Sequence, residues 1–313
     1  MTQPACRPNP QRSPAKLYDR SVPLFRRMLV ALSGQESDDG LLRYAAMLAR
    51  FLPGITALGV HVVDPGAAGD SSALRGELQR MTGSYLPGAG CEVASGDLLD
   101  SILDIAVERG SDLILLGHKH NARRRRSLAR RLAMKAPCSV WMVPDGSPPS
   151  VERILVPIDF SPRSADSLGM ATAVAEAAGL DECIALHVYF NQAAVTFDEF
   201  DEILLENADR AFGIFVAPID LHGVFAKPQF EEAPNVAHTI LRIAAEQGSD
   251  LIVMGTRGRS PSAAVLLGSE TEQALIRATV PVLAVKHFGA RMRLFQALRD
   301  ERVRKRDQKE WYI

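Results

Sequence analysis

Gly255-Thr-Arg-Gly258, nine further residues and then Gly268-Ser269 form the segment of this chain best suited to chemistry. Glycine lets a backbone approach an anion closely and adopts positive φ without strain. Free N–H groups at a helix start, with the positive end of the helix dipole, favour phosphate. Ser269 reads as a helix N-cap that adds a hydroxyl donor. The segment is not a Walker A loop, because no Gly-Lys-Ser/Thr follows, and it is not the dinucleotide Gly-x-Gly-x-x-Gly. Three glycines around a turn also describe a plain strand-to-helix connection, so the surrounding elements decide between the two readings.

Those elements are legible. The apolar run Asp250-Leu-Ile-Val-Met254 before the glycines reads as a buried parallel strand, and Glu270 to Arg277 after them reads as a helix. The chain also repeats itself. Arg109-Gly-Ser-Asp-Leu-Ile-Leu-Leu-Gly117 matches Gln247-Gly-Ser-Asp-Leu-Ile-Val-Met-Gly255. Met28-Leu-Val-Ala-Leu32 matches Ile154-Leu-Val-Pro-Ile158, and Leu58-Gly-Val-His-Val62 matches Ile184-Ala-Leu-His-Val188. Ser139-Val-Trp-Met-Val143 matches Pro281-Val-Leu-Ala-Val285. Four landmarks in one order mark a duplicated domain.

Strands are expected near 27–32, 55–63, 90–94, 112–116 and 139–143 in the first copy. In the second they are expected near 153–158, 183–189, 222–230, 250–254 and 280–286, with helices near 163–178, 197–213, 235–247 and 269–278. Strands separated by helices predict an α/β fold: two tandem doubly wound domains, each a parallel sheet flanked by helices. Ligands in such sheets bind beyond the carboxyl ends of the strands, where strand order reverses. Asp159 and Gly255 both sit at carboxyl ends and are expected to face one crevice.

With these residues in view, the second copy resembles a universal stress protein domain. Gly255-x-x-Gly258-x9-Gly268-Ser269 matches the signature of that family's ATP-binding branch. Ile154-Leu-Val-Pro-Ile-Asp159-Phe-Ser161 and Val280-Pro-Val282 match as well. With the degenerate first copy the resemblance extends over about 27–286, a tandem form.

The resemblance implies five-stranded sheets and ATP, with Mg2+, at the switch point of the second copy. It places Pro157, Ile158 and Asp159 near adenine and ribose, and Val188 against the base. Met254, Gly255 and Gly258 line the ribose and phosphate loop, and Gly268, Ser269 and Thr271 hold the phosphates. An ionised Asp159 is an acceptor-only group suited to ribose hydroxyls. Glu270 runs against the scheme, because it puts negative charge beside the phosphates; it is also a favourable first-turn carboxylate. The resemblance further implies domain pairing through the last strands, so that Val140–Val143 and Val282–Val285 make the chain its own pseudo-dimer, with a homodimer of chains open.

The first copy departs from the signature. Ser33 stands for Asp159, His120 for Gly258, Arg126 for Gly268 and Ser127 for Ser269. This copy is expected not to bind ATP in the family manner.

The implied function is a nucleotide-dependent stress-response regulator that acts through an unknown protein partner. Two alternatives stand beside it. One is a weak ATPase or phosphotransferase, although no nucleophile–base pair and no general base stands out. The other is an anion, nucleic-acid or membrane-surface module in segment 119–135, which carries Lys119, Arg123 to Arg126, Arg130, Arg131 and Lys135. A solvated basic helix face is the plain reading of that segment.

The 313 residues and 47% hydrophobic content suffice for two cores, and a net charge of −1 excludes global steering toward nucleic acid. Domain boundaries are expected at 1–23 for a disordered arm, 24–146 and 151–288 for the two domains, and 289–313 for a basic amphipathic tail. Cys6, Cys91, Cys138 and Cys183 show no metal or redox spacing, which fits buried thiols and a reduced, cytoplasmic setting. No apolar run is long enough to span a membrane. His61 and His187 occupy equivalent positions and read as satisfied rim or core histidines.

Overall fold

The computed structural model describes residues 24–52, 54–66, 71–118, 128–190, 198–256 and 267–286. In chain order the first copy supplies β1 (Arg27–Leu32), α1 (Asp38–Phe51), β2 (Thr56–Val63), α2 (Ser71–Tyr85), β3 (Gly90–Ser95), α3 (Leu98–Glu108), β4 (Leu113–His118), α4 (Leu128–Lys135) and β5 (Ser139–Pro144). The second supplies β6 (Ile154–Pro157), α5 (Pro162–Ala178), β7 (Glu182–Tyr189), α6 (Asp198–Val216), β8 (Phe225–Glu232), α7 (Val236–Glu246), β9 (Leu251–Gly255), α8 (Ser269–Arg277) and β10 (Val282–Val285).

Among the described residues, ten strands join one sheet in the order β3-β2-β1-β4-β5-β10-β9-β6-β7-β8. Each half is parallel throughout, and the halves meet where β5 and β10 pair antiparallel. The last strands therefore join within one chain, as the pseudo-dimer expectation required. Because the halves run in opposite directions, the end of β5 and the start of β6 lie on the same edge of the sheet. The short Asp145–Ser150 linker is long enough for that reason. The two switch-point crevices consequently open on opposite edges.

The central strands are apolar on both faces because helices cover both. Leu41, Leu48, Trp141, Leu168, Val174 and Leu283 belong to one core, beneath α1, α2, α5 and α6. Leu99, Ile102, Leu132, Ile243, Leu275 and Val282 belong to the other, beneath α3, α4, α7 and α8. The repeated Gly-Ser-Asp motif has a structural task. Asp112 accepts the N–H groups of Arg26 (2.8 Å) and Arg27 (2.9 Å) at the start of β1. Asp250 accepts those of Glu152 (2.8 Å) and Arg153 (3.0 Å) before β6. Each carboxylate pins the first strand of its copy to the fourth, and burial pushes both carboxyls above their ordinary value. Among the described residues, no helix is long and apolar enough to cross a membrane.

Candidate functional site

Strand order reverses between β6 and β9 in the second copy, and between β1 and β4 in the first. The two switch points differ in how far their ladders run. β1 and β4 pair from Met28↔Leu113 to Ala31↔Leu116. β6 and β9 pair only at Ile154↔Leu251 and Leu155↔Ile252. Pro157, which stands where the first copy has Ala31, accounts for the difference. Ile158 donates to Leu186 on the β7 side at 2.8 Å. Donors alternate sides along a parallel strand, so position 157 faces β9, and proline has no N–H to offer there. The ladder therefore ends before the carboxyl ends of the two strands.

The loop after β6 forms one wall. Asp159 accepts the N–H of Ser161 on Oδ1 (3.0 Å), and its own N–H meets Ser164 Oγ (3.4 Å). Ser161 caps α5 by accepting the N–H of Ser164 (3.2 Å), with Pro162 in the first turn. Phe160 holds φ = 59°, which is uncommon outside glycine. Its first-copy counterpart is Gly34, at φ = 74°. Phe160 packs against His187 with the rings tilted at 4.4 Å and meets Phe215 edge-on at 5.4 Å, contacts that offset the backbone strain. His187 Nδ1 meets the Ile158 carbonyl at 2.9 Å, as His61 Nδ1 meets that of Leu32 at 3.0 Å. Both histidines therefore brace the switch loop. Val188 is half-buried on β7.

The opposite wall is β9 and α8. Met254 is buried and Gly255 half-buried at the strand end. Thr256 donates to Val285 (3.0 Å), and Gly268 donates to the Thr256 carbonyl (2.8 Å), which closes the loop between them. Gly258, Arg257 and Arg259 lie outside the described residues. Ser269 is the first residue of α8 and Gly268 is its N-cap, at φ −63° and ψ 141°. The sequence reading of Ser269 as the cap is thereby corrected: the chain already turns helical at Ser269, and glycine adopts the extended cap conformation just before it. The Ser269 hydroxyl lies 3.0 Å from Glu270 Oε1. Thr271 is buried and donates its hydroxyl to the Gly255 carbonyl at 2.6 Å, tying α8 to β9. Among the described residues, no side chain caps the first turn of α8. Of its two carboxylates, Glu272 is paired with Arg130 at 2.7 Å.

The structure thus brings Pro157, Ile158 and Asp159 to one side of the β6/β9 gap. It brings Met254, Gly255, Gly268, Ser269 and Thr271 to the other, with Val188 on the strand beyond β6. In the first copy a carboxylate from α1 binds the corresponding loop. Asp38, only 3% exposed, accepts from Ser33 N–H (2.9 Å), Ser33 Oγ (2.8 Å) and Gly34 N–H (2.7 Å). Sequence reasoning missed Asp38. Its signal was an acidic residue five positions after Ser33, where the second copy has Ser164.

Comparison with known proteins gives the family and the fold. The model of the universal stress protein family matches residues 24–144 and again 150–286. The chain belongs to the universal stress protein family. A universal stress protein of Thermus aquaticus is 30% identical over 134 residues, 42% of this chain and 97% of that relative. A universal stress protein structure from Archaeoglobus fulgidus superposes with a TM-score of 0.59 at 20% identity, covering 83% of this chain and 98% of that one. A protein of unknown function from Pseudomonas aeruginosa superposes with a TM-score of 0.66 at 20% identity, covering 88% and 97%. These two structures are similar in fold.

Of the basic segment, Arg130 pairs with Glu272, and Arg131 lies 3.9 Å from Asp97. Lys135 is exposed. Residues 119–127, the arm 1–23 and the tail after 286 lie outside the described residues. Cys91, Cys138 and Cys183 are free and buried, and burial pushes the Cys138 and Cys183 thiols up to about 12.

Proposed function

We propose that this universal stress protein binds one ATP per chain, with Mg2+, in the β6/β9 crevice, and acts as a nucleotide-dependent regulator of a partner protein. The observation that carries the reading is the contrast between the two switch points. The second has a ladder shortened by Pro157, a helix start that no described side chain caps, and glycines on both sides of the phosphate loop. The first has a longer ladder, and Asp38 at the start of α1 takes up the N–H groups of Ser33 and Gly34 in its loop.

The donor set fits an adenine nucleotide. The backbone N–H groups of the first turn of α8 point where phosphate is favoured. Asp159 suits ribose hydroxyls, while Ile158, Val188 and Met254 offer apolar surface to a base. Pairing Glu272 with Arg130 removes one of the two carboxylates that would repel phosphate there. Thr271 serves through its backbone N–H, since its hydroxyl is committed to Gly255. Bound ATP supplies a switchable anion at the start of α8, and Mg2+ offsets its charge. Residues 24–146 and 151–288 act in this reading as a partner domain and a nucleotide domain.

Titration of the purified protein with ATP, with and without Mg2+, tests the proposal, with Gly268→Val as control. Binding that is lost in the variant supports it. No binding by the unaltered chain refutes it.

A further inference from the structure

The seam between β5 and β10 joins positions that the repeat makes equivalent, and the two copies carry different residues at two of them, Trp141 against Leu283 and Met142 against Ala284. Register runs Val282↔Met142, Leu283↔Trp141 and Ala284↔Val140. Aligning Ser139-Val-Trp-Met-Val143 with Pro281-Val-Leu-Ala-Val285 makes Trp141 and Leu283 counterparts. They oppose each other on the pseudo-two-fold axis, and both are fully buried in the same core. Trp141 also meets Tyr44 edge-on at 6.0 Å. The same alignment makes Arg130 of α4 the counterpart of Glu272 of α8, and these two form the 2.7 Å ion pair across the seam. The Lys286 N–H donates to Ser139 Oγ (3.2 Å), and its ammonium reaches the Met134 carbonyl (3.0 Å) at the end of α4. Its counterpart is Pro144, which has neither donor.

We infer that this seam is built to pair the first copy with the second and to reject a copy of itself. Two first copies would set Trp141 against Trp141 and Arg130 against Arg130, overfilling the axis and opposing like charges. Two second copies would set Leu283 against Leu283 and Glu272 against Glu272, leaving space on the axis and again opposing like charges. Neither like pairing reproduces the Lys286–Ser139 contact, because Pro144 lacks the donor and Pro281 lacks the hydroxyl. Complementary volume and charge at equivalent positions favour the mixed pair, and mismatch disfavours both alternatives. The chain therefore closes on itself, and a second chain cannot add through this strand pair.

A charge cycle in the full chain tests this. Arg130→Glu and Glu272→Arg should each lower the folded-to-unfolded ratio in urea by roughly fivefold, while the double swap recovers most of the loss, because the pair is only about one-third exposed. Losses that simply add in the double variant overturn the inference. A second measurement reads partner choice directly. A protease site placed in the 145–150 linker is cut in the folded chain, and unlabelled and isotope-labelled preparations are mixed. Native mass spectrometry should then show only first-with-second pairs. First-with-first or second-with-second pairs in statistical proportion overturn it.

Discussion

Asp159→Asn separates the two tasks the structure gives that side chain. Oδ1 of Asp159 accepts the Ser161 N–H at 3.0 Å within the switch loop. An asparagine keeps an oxygen for that bond but loses the charge, and it turns an acceptor into a donor where ribose hydroxyls would lie. A hydrogen bond to a charged group contributes about 1.5–3 kcal/mol. At 1.4 kcal/mol per tenfold, ATP affinity should fall about ten- to hundredfold. Stability should move by no more than about 0.5 kcal/mol, because the loop bond survives. Calorimetric titration with ATP, 2′-deoxy-ATP and 3′-deoxy-ATP completes the argument. The unaltered protein should lose affinity for the deoxynucleotide that lacks the hydroxyl held by Asp159. The variant should no longer distinguish that deoxynucleotide from ATP, since residue and hydroxyl belong to one interaction. A variant that binds ATP normally, or that discriminates as the unaltered protein does, refutes the assignment of Asp159 to ribose.

Thr271→Val keeps shape but strands the Gly255 carbonyl, and should destabilise the chain by about 1–3 kcal/mol in urea titration; an unchanged midpoint would show that the 2.6 Å bond is dispensable. Asn235 caps α7 by accepting the His238 N–H at 3.0 Å, so Asn235→Ala should cost about 1 kcal/mol, read by thermal unfolding with nucleotide absent. Cys138 and Cys183, raised from 9.0 to about 12, should carry about a thousandfold less thiolate than free thiols at pH 8; alkylation followed by mass spectrometry should find both protected until the chain unfolds. Because the folded state holds those protons more tightly, the stability these thiols contribute is constant below pH 9 and declines between 9 and about 12, which denaturation at stepped alkaline pH can check.

Much of the fold was legible because the sheet is buried on both faces. Leu-Ile-Val-Met before Gly255 has no polar face to confuse strand with helix, and β9 falls where the run lies. β8 was placed near 222–230 but occupies Phe225–Glu232, since Val224 belongs to the turn and the strand continues through polar Glu231 and Glu232 beside β7. Edge strands are half-exposed, so their ends carry little apolar signal. The site was legible wherever glycine and proline punctuate it. It was less so where one side chain serves two purposes. Thr271 reads as a phosphate ligand until its hydroxyl is found on Gly255, and Ser269 reads as a cap until Gly268 is seen in that place. Asp38 and the Arg130–Glu272 pair depend on contacts between segments far apart in the chain or folded back in a loop, which local spacing does not encode.

The number of nucleotides held by each chain tests the central claim most directly. Freshly purified protein, saturated with ATP and Mg2+ and then stripped of free nucleotide, is denatured, and the released nucleotide is quantified against protein by ion-exchange chromatography. One nucleotide per chain, reduced to none by Gly268→Val and unaffected by Asp38→Asn, is the predicted result. Two per chain, or one that survives Gly268→Val, would contradict the assignment of nucleotide to the β6/β9 crevice alone.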